Sequence, residues 1–193
     1  MKTYNKTITE PRLVIKYDED AESPRAFNDS VGYFITVDSE YKSPDDNKPL
    51  IGLVKDTGEE AKDQKDHIKR IKAGMKGWAE KVIAIYPVVK YEHSGVSYSL
   101  GTAHGFDYSN NGFYIVTDRT LNASGVTGDA MEKYIEAEIE IYNKWMNGEV
   151  YYYRLYDEDG ELVDSCGGYY DLEDIKAALP EEWQGEKMED YLI

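Results

Sequence analysis

The chain has 193 residues, and its 38 acidic and 22 basic side chains give a formal net charge of −16 at pH 7. This length allows one domain with a substantial core, or two small ones. The single cysteine excludes a disulfide framework and a cysteine-only zinc site, and the negative charge disfavours nucleic acid and lipid headgroups as direct partners while it favours basic surfaces.

The first elements in chain order are two strands and a helix. Residues 12–17 and 31–37 are rich in β-branched and aromatic side chains, which favours strands. A polar loop is predicted at residues 43–48. A helix is predicted at about residues 59–78, because apolar side chains recur there at steps of three and four residues: Ala61, Ile68, Ile71, Met75 and Trp78.

Strands dominate the next stretch. Residues 81–91 form a long predicted strand, and Pro87 within it indicates a sheet edge or a bulge, because proline lacks the N–H that a ladder needs. Further strands are predicted at residues 96–100 and 112–117, with a turn between them at Asn110-Asn111-Gly112.

A second long helix is predicted at about residues 129–147. Asp129 is a good N-cap, and Gly148 fits the position after the last turn. An apolar stripe is expected to face the core, and it comprises Met131, Tyr134, Ile135, Ile139, Tyr142, Trp145 and Met146.

The last elements are a hairpin and a short helix. Residues 149–156 and 161–165 are the predicted strands of the hairpin, and residues 157–160 are its turn. The short helix is predicted at about residues 171–179, ahead of Pro180.

About seven strands and three helices are thus predicted, and they do not alternate regularly. We therefore expect an α+β fold, a mostly antiparallel β-sheet with two long amphipathic helices packed on it. One domain over residues 1–193 is expected. It ends in a loosely held acidic tail at residues 181–193, in which Trp183 and Tyr191 are candidate anchors.

Negative charge is concentrated in the last third of the chain. Residues 129–193 carry 19 acidic and 5 basic side chains, whereas residues 55–90 carry 6 acidic and 9 basic ones. The outer face of the second long helix presents Glu132, Glu136 and Glu140 at four-residue steps. This spacing of about 6 Å approximates the phosphate spacing along one strand of a nucleic acid.

These glutamates, together with Asp157, Glu158 and Asp159 of the hairpin turn, predict an anionic binding face for a basic partner. The alternative is a surface that is merely well solvated.

The first long helix has the opposite character. Its polar side could contact phosphate or an acidic partner, or neutralise the protein's own acidic face, through Lys62, Lys65, Lys69, Arg70, Lys72 and Lys76.

One local cluster carries atoms suited to catalysis. Glu92 and His93 lie in the segment Tyr-Glu-His-Ser-Gly, and His104 and Asp107 follow shortly after. Two histidines with a carboxylate can bind a metal or transfer protons, and a nearby histidine could activate Cys166 as a nucleophile. The alternative is a histidine that hydrogen-bonds a turn. Because nucleotide-binding glycine motifs, His-Glu-x-x-His and Cys-x-x-Cys are absent, no cofactor and no metal are predicted.

Several segments together resemble a family of small acidic proteins from phages and other mobile elements. The segments are Asp18-Glu19-Asp20 with Ser23-Pro24-Arg25, residues 91–95, residues 112–116, residues 141–148, residues 157–160 and Asp164-Ser165-Cys166. That family has no established biochemical activity, so no catalytic residue is carried over. The sequence departs from the family pattern after Arg25, and the basic region at residues 55–80 is interpreted as an insertion.

The resemblance implies a phage gene expressed in the cytoplasm of a bacterial host. Residues 1–11 lack the apolar segment of a signal peptide, and the longest apolar run, residues 82–89, is too short for a membrane helix. We therefore expect no membrane partner, and direct nucleic acid binding only through the basic helix. The leading hypothesis is an inhibitor of a bacterial nucleic-acid-targeting defence system, an anti-CRISPR or anti-restriction protein, with an effector such as a CRISPR nuclease as partner.

Two other classes of function stay open. One is a small hydrolase or nuclease, for example one that cleaves guide RNA, using His93 and His104 with Asp107 or Glu92. The other is a component of the virion or its assembly, although the sequence has neither a repeat nor a coiled coil.

Overall fold

The computed structural model describes residues 12–27 and 29–193, so the prediction about residues 1–11 lies outside it. The described residues form an α+β fold with antiparallel strands, as predicted. The strands are β1 Arg12–Tyr17, β2 Tyr33–Thr36, β3 Val82–Glu92, β4 Val96–Leu100, β5 Tyr108–Thr117, β6 Tyr151–Tyr156 and β7 Leu162–Tyr169. The α-helices are α1 Lys48–Glu59, α2 Gln64–Gly74, α3 Asp118–Ser124, α4 Met131–Met146 and α5 Leu172–Ala178. None of these helices combines the length and apolar composition that crossing a bilayer requires.

The chain divides into two compact units. Unit 1 comprises residues 1–22 and 144–193, and unit 2 comprises residues 23–143. The strands form two sheets where the sequence predicted one. Sheet 1, in unit 1, has the order β1-β6-β7, and sheet 2, in unit 2, has the order β2-β5-β3-β4. That residues 1–193 behave as one domain stays a prediction.

Sheet 2 is covered on both faces. Helices α1 and α2 contribute Leu50, Val54, Ile71 and Met75 to a cluster on one face, packed against Phe113 and its neighbours. On the other face, α4 places the ring of Tyr142 against Phe34 and Tyr98. Because both faces are covered, residues 112–117 of β5 are buried without the usual alternation.

The predicted helix at residues 59–78 is wrong in its bounds, whereas the loop at residues 43–48 is confirmed up to residue 47. Helix α1, which was not predicted, begins at Lys48, where the Asn47 side chain accepts the N–H of Leu50. Asp63 caps the start of α2. The predicted helix therefore corresponds to α2 alone, which is shorter at both ends. Trp78 therefore lies beyond α2 and is exposed.

The predicted turn at Asn110-Asn111-Gly112 is also wrong, because these residues lie inside β5. Strands β4 and β5 run in the same direction on either side of β3, and residues 101–107 connect them. The Asn110 side chain bridges to Ala103, accepting its N–H and donating to its carbonyl. Gly112 is needed for close packing instead of a turn, since a Cβ there would lie 3.0 Å from the Val88 carbonyl oxygen.

Pro87 agrees with the predicted edge or bulge, whereas Tyr134 does not lie where it was expected. Pro87 precedes the pairing irregularity between Val88 and Lys90, and pairing of β3 with β4 starts only at Val88. A missing N–H costs little at such a position. Tyr134 was expected in the buried stripe of α4, but its side chain is 53% exposed.

Unit 1 has an apolar core between sheet 1 and the C-terminal segments. Its buried members are Leu13, Ile15, Tyr153, Leu155, Ile175, Leu179, Trp183 and Met188. The prediction of a loosely held tail at residues 181–193 is therefore wrong. Trp183 anchors it as expected, and Leu192 forms a bridge to Ile15 that places the chain end beside β1.

Candidate functional site

The outer face of α4 is the candidate binding surface. The helix buries Met131, Ile135 and Ile139. The residues that follow each of these by one position form a neighbouring row along one flank, where side chains four residues apart lie next to one another. Glu132, Glu136 and Glu140 are all exposed there. Glu132 and Glu136 make no ion pair among the described residues, and like charges at this spacing cost about 0.2–0.5 kcal/mol per pair. The α4 carboxylate row (these three glutamates) is therefore unfavourable for the helix alone.

A buried ionic network holds the inner side of α4. Glu138 accepts from Nη1 of Arg25 at 2.6 Å and from the N–H of Val31 at 2.9 Å, and Tyr114 donates its hydroxyl to it. Asp45 takes a two-point hydrogen bond from the same guanidinium, at 2.8 and 2.7 Å. A guanidinium–carboxylate pair with two hydrogen bonds fixes the relative orientation of the two groups as well as their charge. The helix that carries the α4 carboxylate row is therefore held in a defined position in unit 2.

The charges in this network shift the pKa values of its members. Burial alone would lower the pKa of Arg25, but the hydrogen bond and charge of Asp45, with the charges of Tyr114 and Glu138, raise it above its ordinary value. Burial, reinforced by the charge of Glu138, raises the pKa of Tyr114. The guanidinium therefore stays charged and the phenol stays protonated, so the network is structural.

The hairpin turn at residues 157–160 lies in unit 1, whereas the α4 carboxylate row lies in unit 2. One Asp157 carboxylate oxygen accepts the N–H groups of Asp159 and Glu161, both at 2.9 Å. Asp157 thus shapes its own turn, while Glu158 and Asp159 are exposed. Three of the six predicted acidic residues therefore belong to each unit.

The predicted basic face is exposed on and around α2. Arg70 is engaged, since it pairs with Glu60 at 2.6 Å and Asp66 at 2.9 Å. The exposed members are Lys62, Lys65, Lys69, Lys72 and Lys76. None of the ion pairs found in the described residues joins these lysines to Glu132 or Glu136, so neutralisation of these two glutamates by this helix is not observed there.

The predicted catalytic residues are only partly brought together. Nδ1 of His93 lies 4.0 Å from Oδ1 of Asp107, and both side chains are well exposed. His104 is exposed in the loop between β4 and β5. Within the described ranges, no group of three or more His, Cys, Asp or Glu side chains could hold a metal ion. Cys166 is exposed on β7 in unit 1, whereas the three histidines belong to unit 2.

Glu92 belongs to a different cluster from the one predicted. It accepts from Nζ of Lys90 at 2.8 Å and from the hydroxyl of Tyr41 at 2.9 Å, while Asp38 lies 2.6 Å from the same ammonium group. Burial alone would raise the pKa of Asp38, but the hydrogen bond from Lys90 outweighs it and lowers that pKa to about 2. The bonds from Lys90 and Tyr41 also lower the pKa of Glu92, which makes it a poor general acid.

Unit 2 also contains an open cavity of about 760 Å³ beside Arg25. Its wall includes Tyr33, Asp45, Lys48 and Arg119. Most of the charge in this wall is already paired, since Asp45 binds Arg25 and Arg119 lies 3.0 Å from Glu80. The volume is suited to a small molecule, but the arrangement does not select one chemical class.

Sequence reasoning missed the buried network of Arg25, Asp45, Tyr114 and Glu138. The available signal was Glu138 itself, a carboxylate placed between the buried Ile135 and Ile139 in the chain, which calls for a cationic partner.

Comparison with protein-family models, with curated proteins and with solved structures finds no match.

Proposed function

We propose that this protein is a phage-encoded inhibitor of a bacterial nucleic-acid-targeting defence system, of the anti-CRISPR or anti-restriction kind. Its α4 carboxylate row would bind the basic surface on which the effector holds its nucleic acid. The observation that carries the proposal is the exposure of Glu132, Glu136 and Glu140 on a helix that Glu138 anchors to Arg25. A fixed row of anions loses little freedom on binding, which favours affinity.

Inhibition of a purified CRISPR effector with its guide tests the proposal. Reversing Glu132, Glu136 and Glu140 to lysine should abolish inhibition, because the carboxylates would no longer match the basic channel. Inhibition by the unaltered protein should also weaken as salt rises, as expected for charge-driven binding. DNA cleavage and binding of the effector to its target duplex are the two readouts.

A matched variant controls for total charge. Reversing Glu19, Asp20 and Glu22 to lysine makes the same charge change at exposed positions of unit 1. That variant should inhibit normally. Equal inhibition by both triple variants, with circular dichroism unchanged, would remove α4 as the docking surface.

A small hydrolase or nuclease is the second candidate, favoured by the proximity of His93 and Asp107. It predicts turnover, so protein far below the substrate concentration should consume an excess of guide RNA. His93→Ala should then stop the reaction, and His104→Ala tests the more distant residue. A stoichiometric effect that both alanine variants retain would contradict this alternative.

A further inference from the structure

Among the described residues, three of the four sheet edges carry a cap from elsewhere in the chain. On β1, Ile193 donates its N–H to the Ile15 carbonyl at 3.0 Å. On β2, Asp45 binds both the N–H and the carbonyl of Phe34, at 2.7 and 3.1 Å. Such caps are one way in which proteins prevent an edge strand from pairing with another chain.

The edge at β4 is closed by a single amide side chain. Asn143 of α4 accepts the N–H of Tyr98 and donates to its carbonyl, both at 2.8 Å. The geometry imitates a neighbouring strand. Strands β1, β2 and β4 are thus each bonded at one or two outward residues, whereas β7 has no such cap in the described residues.

The backbone register shows which groups of β7 point outward. The N–H of Asp18 donates to the Val150 carbonyl at 2.7 Å, which starts the ladder between β1 and β6. The N–H and C=O groups of successive residues along β6 point alternately to β1 and to β7. Because Val150 faces β1, Arg154, four residues later, also points its N–H and C=O toward β1 and away from β7. Ser165, which is paired with Arg154, therefore directs its N–H and C=O away from the sheet, and Gly167 does the same.

These outward groups are open in the described part of the chain. The one contact found there is from the Cys166 thiol to the Gly167 carbonyl at 3.8 Å, which is a weak one. Residues 162–168 are all exposed, including Leu162 at 53% and Val163 at 55%. The strand carries neither proline nor lysine, which commonly protect an edge. Its two pairing irregularities, which can also protect an edge, lie on either side of residues 164–167 and leave these four in regular register with β6.

Charge indicates what pairs there. Unit 1 carries 19 acidic and 8 basic side chains, and β7 has no basic residue and begins directly after Glu161. Asp164 lies on the same face of sheet 1 as Leu155, whereas Ser165 shares the opposite face with Arg154. A strand added beside β7 would therefore place cations next to Asp164 and uncharged side chains next to Ser165.

We propose that the β7 edge is a second docking surface, which binds an extended segment of a partner protein with lysine or arginine at alternate positions. Main-chain hydrogen bonds to Ser165 and Gly167 add the segment to sheet 1 as a fourth strand, and the acidic surroundings select its charge. A second copy of this chain is disfavoured, because two units of net charge −11 would be placed edge to edge.

An octapeptide of alternating lysine and threonine is the probe, and its glutamate–threonine counterpart is the control. Titration of the full chain by NMR should slow amide hydrogen exchange at Ser165 and Gly167 roughly tenfold, because added-strand pairing protects outward N–H groups. The glutamate peptide should leave exchange unchanged. Absence of binding at millimolar lysine peptide, or binding without this protection, overturns the proposal.

Substitutions at Ser165 distinguish peptide binding through its backbone N–H from binding through its side chain. Ser165→Pro removes the outward N–H and should weaken the peptide roughly tenfold, whereas Ser165→Ala keeps it and should bind normally. If Ser165→Pro removes the hydrogen-exchange protection of β6, two double variants of opposite charge take its place in the test. Val163→Lys with Ser165→Lys should then weaken binding, and Val163→Glu with Ser165→Glu should not.

Two outcomes would contradict the proposal that the β7 edge binds a basic segment of a partner protein. Equal peptide affinity of Ser165→Pro and Ser165→Ala, with sheet 1 intact, would show that the β7 backbone is not used. If sedimentation equilibrium shows a dimer and Ser165→Pro abolishes it, a second copy of this chain binds the β7 edge instead of a partner protein. The proposed function is unaffected by either result, because its test changes only α4 and residues 19–22.

Discussion

The two units use their charges in opposite ways. Unit 2 has 14 basic and 19 acidic side chains, and it places two of the cations in its interior, where Arg25 binds Asp45 and Glu138 and Lys90 binds Asp38. Unit 1 has 8 basic and 19 acidic side chains, a net charge of −11, around a core of apolar and aromatic residues.

The comparison shows two ways of holding a surface in place. In unit 2, a directional ionic network fixes the helix that presents the α4 carboxylate row. In unit 1, apolar burial holds a small sheet together while the like charges outside it repel one another. Unit 2 should therefore be sensitive to loss of one charged partner, and unit 1 to loss of apolar area and to ionic strength.

The largest effect is expected from Arg25→Met. Removing the guanidinium leaves the partly buried Asp45 and Glu138 without their cation, which should lower the free energy of unfolding by about 3–5 kcal/mol. Urea denaturation followed through amide signals of sheet 2 measures it. Arg70→Met is the control, because Arg70 is more exposed and solvent screens its ion pairs, so its loss should be much smaller. Equal losses in the two variants would refute the distinction.

A somewhat smaller effect is expected in unit 1 from Trp183→Ala. The tryptophan is 9% exposed and packs edge-on against Tyr191, so truncation should cost about 3 kcal/mol and release residues 181–193 to proteases. Urea denaturation monitored through sheet 1, with limited proteolysis, measures both. Leu162→Ala, at an exposed position, should change neither. A tail that stays resistant in Trp183→Ala would mean that other contacts hold it.

Elements with a strong local pattern were predictable from the sequence. The bounds of β1 were predicted correctly, and α4 was placed to within about two residues, because alternation and helical periodicity are local signals. Gly148 follows α4 with a φ of 74°, as the predicted cap requires. The caps at Asn47 and Asp63 were overlooked, so α1 was missed and α2 was extended too far.

The candidate site was predictable only where it is local. The exposure of Glu132, Glu136 and Glu140 follows from the position of the buried stripe on one helix. The network at Arg25 joins residues separated by up to 113 positions in the chain. The position of Glu138 signals that a cation is needed, but one sequence does not indicate which cation it is. The division of the strands into two sheets was missed for the same reason, since β1 pairs with β6 far along the chain.

An effect of about 2 kcal/mol is expected from pH in unit 2. The pKa of Asp38 is about 2 in the folded protein, below its value in an unfolded chain of about 3.9. Its contribution is therefore complete above pH ~4 and is lost as the pH falls toward 2. The stability difference between the natural chain and Asp38→Asn should shrink over this window. A difference that stays constant from pH 6 to pH 2 would contradict the assignment.

The smallest effect is expected from salt, and it tests the repulsion in unit 1 directly. Raising NaCl shortens the range of charge interactions to below about 10 Å, so like charges on unit 1 should repel less, and its stability should rise by a few tenths of a kcal/mol, up to about 1 kcal/mol. Sheet 2 should change less, because its ion pairs are buried. Reversing Glu19, Asp20 and Glu22 to lysine lowers the net charge of unit 1 from −11 to −5 and should reduce the salt effect on sheet 1. An undiminished effect in that variant would mean that salt acts through apolar burial, which does not depend on these charges.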